Sequence, residues 1–232
     1  MCIAHETCLV VAAHPDDEVL GCGGTVARLA GEGARVYFAI LGEGVTSRYR
    51  HREEADPMLV QALRSRSGEV ARLLGARDIF THDLPDNRFD TVPLLDIVKI
   101  IEELVDRLKP QVIYTHHGGD LNIDHVLVHR AVLTATRPAG GADAVKHIRT
   151  FEVPSSTEWA FGQFPPAFRP NIFVDVSGTL EVKIRAMEIY ESEKRVFPHP
   201  RSPEALRAIA RRWGSTVGRD AVEAFELVRS VV

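Results

Sequence analysis

Two short stretches hold the residues that could do chemistry. His14-Pro15-Asp16-Asp17-Glu18 packs four ionisable groups into five residues. Adjacent carboxylates repel one another unless a proton or a cation lies between them. Imidazole and carboxylate together are ligand types that zinc accepts. The second stretch, His116-His117-Gly118-Gly119-Asp120-Leu121-Asn122-Ile123-Asp124-His125, adds three imidazoles and two more carboxylates. A hydrolytic zinc centre needs three protein ligands and one open position for water. The two stretches together carry enough ligands, provided the fold brings them to one place.

The elements around them say how that happens. Cys8–Ala13 is a run of small and β-branched apolar residues, too short for a membrane span and suited to a buried strand. The ionisable turn must therefore sit at the strand's carboxyl end, where open parallel sheets bind ligands. Pro15 fixes its own φ and biases His14 towards an extended conformation. Further strands are predicted at Arg35–Leu41, Ala76–Thr81 and Gln111–Thr115, and helices at Met58–Leu74, Leu94–Leu108 and about Asp124–Thr136. Gly21-Cys22-Gly23-Gly24 reads as a close helix–sheet approach leading into a helix at Thr25–Ala30. It does not match G-x-G-x-x-G, and acids stand where a pyrophosphate would need backbone N–H groups. Four strand–helix units in succession predict a Rossmann-like α/β fold with a mostly parallel sheet. Right-handed crossovers then put every strand-to-helix loop on one edge. Beyond Pro138, strands are expected at His147–Val153 and Ile172–Val176, and helices at Leu180–Glu193 and Pro203–Arg211.

The bulk properties exclude some roles. The chain has 232 residues and a formal net charge of −4, so no global basic field draws it to nucleic acid. One domain over 1–232 is the default: 1–136 the Rossmann-like part with the metal site, 137–232 an elaboration. Three cysteines, Cys2, Cys8 and Cys22, have no framework spacing, which suggests reduced thiols and a cytoplasmic setting. MCIAHETC has neither a basic n-region nor an apolar h-region, and no apolar run reaches the ~20 residues of a membrane span.

The residues AAHPDDE, directly after an apolar strand, resemble the first motif of the PIG-L/LmbE family of zinc-dependent de-N-acetylases, which deacetylate N-acetylglucosaminyl compounds. The resemblance implies a three-layer LmbE/PIG-L-like fold and hydrolysis of an N-acetylated amino sugar or its conjugate, with zinc, or ferrous iron in its place, as the cofactor. His14 and Asp17 then supply two ligands. His125, which resembles the final His of the family's second motif, supplies the third, with His129 one turn on as second choice. Asp16, not ligated, is free to act as general base towards water. Asp124 either caps the following helix or orients a ligand imidazole. Asn122 departs from the family, whose second motif starts with a His. An Asn amide can donate to an oxyanion but cannot deliver a proton. Asp16 would then return the proton it took, unless His116 or His117 has taken over.

Relatives grip the sugar with an Arg after the second strand and an Asp after the third, and Arg48 and Asp86 stand at matching places. The Phe197–Ser202 segment places a rigidly held His199, a third substrate contact, and Arg201 between two helices; it suits a lid or a subunit contact in a homo-oligomer that reaches the pocket, though turn chemistry alone would also explain it. The alternatives are an amidase acting on another small amide conjugate, and a non-catalytic sugar- or nucleotide-binding module that kept the metal loop.

Overall fold

The computed structural model describes residues 6–138 and 145–232; Cys2 lies outside them. The described elements run β1 (Thr7–Ala12), α1 (Asp17–Gly31), β2 (Arg35–Gly42), α2 (Pro57–Leu74), β3 (Asp78–Leu84), α3 (Leu94–Leu108), β4 (Val112–His116), α4 (Ile123–Ala135), β5 (His147–Phe151), β6 (Ile172–Asp175), α5 (Leu180–Ile189), α6 (Pro203–Val217) and β7 (Val222–Ser230). One seven-stranded sheet forms, in the order β3-β2-β1-β4-β5-β7-β6. Strands β1 to β5 pair in parallel, and only β7 runs antiparallel to both neighbours. The sheet is mostly parallel, with helices on both faces, as expected.

Strand β1 lies between β2 and β4, so the chain winds outward from it in both directions. That is the topological switch point, where the loops after two neighbouring strands part and leave a crevice. Those loops are the two ionisable stretches. Alternation along β1 builds the two cores. Cys8 and Val10 face one layer with α1, α2 and α5, where Val26, Leu63, Leu74, Ile184 and Met187 are buried. Leu9 and Val11 face the other with α3 and α4, where Ile97, Ile101, Val128 and Val132 are buried. Every residue of β1 is buried, as a central parallel strand requires. Cys8 and Cys22 are buried free thiols.

Three differences from the sequence reading have physical causes. First, the glycine stretch is already helical: α1 begins at Asp17 and kinks at Cys22, whose φ of −150° and ψ of 20° break the spiral. The helix resumes directly after Cys22, two residues ahead of the predicted start at Thr25. A Cβ on Gly21 would collide with the Phe151 ring of β5, and one on Gly24 would press on Val176, so these glycines do serve close approach. Second, α6 runs past Arg211 to Val217, because Gly214 lets its last turn pack against the backbone at Arg219 and Ala221. Third, β7 has no counterpart among the expected strands; it is wedged between β5 and β6.

The kink is braced by charge. Glu223 on β7 accepts from the Gly24 and Thr25 N–H groups (3.0 and 2.6 Å), capping the resumed helix. Lys183 on α5 donates to Glu223 and to the Leu20 carbonyl, both at 2.7 Å. Both side chains are buried. Removing one partner of such a pair strands the other without compensation. Lys183→Met is therefore expected to cost about 3–5 kcal/mol, read as a lowered urea midpoint.

Candidate active and metal site

The site is assembled where β1 and β4 end. The Ala13 N–H donates to His116 Nε2 at 2.8 Å, stitching the two loops together. Asp16 follows with a φ of 106°, a left-handed backbone rare outside glycine, and acts as N-cap of α1 without a side-chain cap bond. That turn aims Asp16 and Asp17 differently. Asp17 opens the helix, and its Oδ2 accepts from the His14 N–H at 2.8 Å. The same oxygen lies 3.4 Å from His14 Nδ1 and 3.3 Å from His125 Nε2. The rings of His14 and His125 are 5.5 Å apart between centroids.

These distances fit a cation. Bonds of ~2.0–2.1 Å to zinc-like ions put tetrahedral ligand atoms about 3.4 Å from one another. His14, Asp17 and His125 form one group of buried donors that could hold a metal ion; His14, Asp86 and Asp124 form a second. Both share His14. Its Nε2 lies 2.9 Å from Asp124 Oδ2 and 3.3 Å from Asp86 Oδ1. An imidazole that donates Nε2–H to a carboxylate presents its Nδ1 lone pair to an ion, the usual arrangement behind a metal ligand. The first group is therefore the better metal site, with Asp124 and Asp86 behind it. Asp124 Oδ1 is fixed by the Phe89 N–H (2.9 Å), so Asp124 is itself rigid. Its helix-cap role falls instead to Asn122, whose side chain accepts from the Asp124 N–H at 2.9 Å. Asp124→Ala is expected to weaken metal affinity about 10–100-fold, measured by chelator competition.

Electrostatics follow from burial. Asp16, Asp17 and Glu18 are at most 2% exposed, so the acidic turn is not a solvated loop. Burial alone would raise the Asp17 carboxyl, but the imidazole of His125, with that of His14, outweighs it and holds it well below the usual range. Asp16 goes the other way: burial raises it well above that range, against the pull of Arg201. Burial would lower His14 and His125, yet Asp124 and Asp17 drive His14 well above its ordinary value. Asp17 and Asp120 drive His125 to about 9. Glu18 is turned inward, pushed up to about 7 by burial; it accepts from Tyr190 Oη (2.6 Å) and the Asp16 N–H (3.1 Å).

The other expected residues lie around one cleft of about 290 Å³ lined by His14, Asp16, Asp17, Arg48, Asp86, Asn122, His125 and His199, with Trp159 and Arg201. Asn122 gives one amide proton to Asn87 Oδ1 (2.9 Å), leaving its second for another acceptor. Arg48 is held by both oxygens of Glu193 (2.6 Å), and Asp86 Oδ2 by the N–H and hydroxyl of Ser47. His199 accepts the Arg201 N–H at Nδ1 (3.1 Å) and sits edge-on to Trp159.

The alternative proton donors are not in the cleft. His116 is fully buried under His125, stacked at 4.0 Å, with its Nε2 accepting from Ala13. His117 turns away to Glu226 and the Pro166 carbonyl. His129 points its Nδ1 at the His116 carbonyl instead of the ion site.

Two partners escaped the sequence reading. Asp120 Oδ1 lies 3.1 Å from His125 Nδ1, while Ser156 and Thr157 hydroxyls donate to its carboxylate; its pKa falls to about 2 despite burial, with His125 the main cause. An acid five residues before the ligand His was the available signal. Arg201 Nη1 donates to Asp16 Oδ2 at 2.8 Å; its segment was expected to reach the pocket, but the pairing spans 185 residues and carries no local pattern.

Fold and site define a three-layer α/β protein with a buried His–Asp–His group that could hold a metal ion at its switch point. Residues 9–136 match the family model described as PIG-L, GlcNAc-PI de-N-acetylase, and the chain belongs to this family. It is 26% identical over 190 residues to the uncharacterized deacetylase YaiS of Escherichia coli (strain K12), covering 79% of this chain and 90% of that protein. It is 25% identical over 237 residues to the diacetylchitobiose deacetylase of Thermococcus kodakarensis, covering 96% and 83%. The crystal structure of the conserved protein TT1542 from Thermus thermophilus superposes with a TM-score of 0.76 at 27% identity, covering 97% of this chain and 96% of that one. Among the described residues, no helix is long and apolar enough to cross a membrane.

Proposed function

We propose that this chain is a zinc-dependent hydrolase that removes the acetyl group from an N-acetylated amino sugar or its conjugate. One observation carries the reading: the His14–Asp17–His125 group shares a cleft with Asp16, a carboxylate outside that ligand group. A zinc ion held by the three would supply Lewis acidity, polarising the acetamide carbonyl and making water acidic enough to lose a proton near neutrality. Asp16 takes that proton as water attacks, and returns it to the departing nitrogen, because neither His116 nor His117 reaches the cleft. Asn122 offers its remaining amide proton to the oxyanion. Arg48, Asp86 and His199 line the same cleft and serve in this reading as the sugar contacts, Asp86 while also lying beside His14. The amino-sugar substrate rests on the family and on the diacetylchitobiose deacetylase relative. The cleft's volume, at the small end of ligand pockets, suits one end of a substrate better than an extended oligosaccharide.

The test is acetate release from N-acetylglucosamine conjugates and from diacetylchitobiose, with the protein metal-loaded and after chelation. Release that disappears on chelation and returns with zinc is the expected result. A tightly bound ion without hydrolysis of any amide would point to a binding module.

Metal uptake should also depend on pH. His14 stands well above 6.5 and His125 at about 9, so near neutrality both hold protons that an incoming cation must displace. Affinity therefore rises as pH rises towards 9, by up to about a hundredfold per pH unit if both protons leave. Chelator competition at two pH values and calorimetry in buffers of different ionisation enthalpy would measure it.

A further inference from the structure

A second cavity, of about 280 Å³, lies against the same sheet but away from the cleft. Its walls come from the last turns of α1, from β4 and β5, and from β6. Leu29 in that wall stands twelve residues after Asp17, which places it about 18 Å down the helix from the ion site.

Charge in this cavity does not balance. Three arginines line it, Arg28, Arg149 and Arg219, against two acids, Glu32 and Asp175. Arg28 is spent on Glu32 (2.8 Å) and on the Asp175 carbonyl (2.8 Å). Arg219 Nε lies 3.5 Å from Asp175 Oδ2. The surplus charge belongs to Arg149, which is only 5% exposed. Among the described residues its guanidinium makes no ion pair; Nη1 donates to Tyr114 Oη (2.7 Å), and Nε has no partner. The Tyr114 ring lies 5.5 Å from its Cζ, a weak compensation for a buried cation. An uncompensated buried guanidinium is costly, and its planar fork matches a carboxylate. The rest of the wall includes the apolar side chains of Leu29, Ile172 and Val174.

We propose that this cavity is a binding site for a small organic carboxylate, with Arg149 holding the carboxylate and the aliphatic wall its hydrocarbon part. Nothing in the deacetylation chemistry uses it, so its test does not depend on turnover.

Butyrate is the probe, with chloride at equal ionic strength as control and inorganic phosphate for comparison. Thermal unfolding of the metal-loaded protein should show a midpoint rising by roughly 5–10 °C at a hundredfold excess over Kd. Arg149→Gln should abolish that rise, and Arg149→Lys should reduce it. Any butyrate bound at the ion site contributes equally to all three proteins and cancels. Equal shifts in wild type and Arg149→Gln, or stabilisation by phosphate alone, would overturn the assignment. Should Arg149→Gln fail to fold, wild-type crystals soaked in butyrate decide: density against Arg149 supports the site, and a cavity holding only water ends the idea.

Discussion

Asp16→Asn is expected to lower turnover by about 10²–10⁴-fold, the usual contribution of a positioned general base, while the metal content stays unchanged. The substitution is nearly isosteric, so the left-handed turn and the contact with Arg201 can persist with little rearrangement. What goes is the ability to accept a proton from water and hand it to the amine. Acetate-release kinetics alongside metal analysis check this. A variant that loses its ion instead would place Asp16 among the ligands.

The opposite pattern is expected for Asp17→Asn. Asp17 Oδ2 is the shared neighbour of His14 Nδ1, His125 Nε2 and, at 3.6 Å, His116 Nε2. Replacing the carboxylate by an amide removes the one negative charge among these donors. The loss should exceed the 10–100-fold that follows removal of an outer partner, reaching about 10³-fold or more in metal affinity. Turnover then falls to background at trace metal and recovers only partly with excess zinc. Retention of stoichiometric metal after mild chelation would rule this role out.

Much of this architecture was legible because it depends on local patterns. β1 could be read from an unbroken apolar run, α3 from helical spacing matched at both ends, and the shared edge from the succession of strand–helix units. The meeting of the two ionisable loops followed, since both leave the carboxyl ends of parallel strands; His125 as the imidazole that faces His14 came from the resemblance to the family's second motif. What stayed hidden depends on long-range placement. Arg201 reaches Asp16, and Glu223 caps α1, across separations that carry no spacing signal. Glu18 read as one more loop acid, yet its neighbour Tyr190 draws it into the core. The glycine stretch misled because glycine is costly in a helix interior, and there the close approach to Phe151 overrides propensity.

The position of β7 also bears on how the molecule comes to be made. The three residues that could hold an ion, His14, Asp17 and His125, lie before position 126, so a ribosome releases them early. The strand that closes the gap between β5 and β6, and brings the carboxylate that caps the interrupted first helix, emerges after every other strand of the sheet. Until then the nascent sheet has an open seam and α1 lacks its brace. The half that carries the candidate ligand group is thus synthesised well before the strand that braces it.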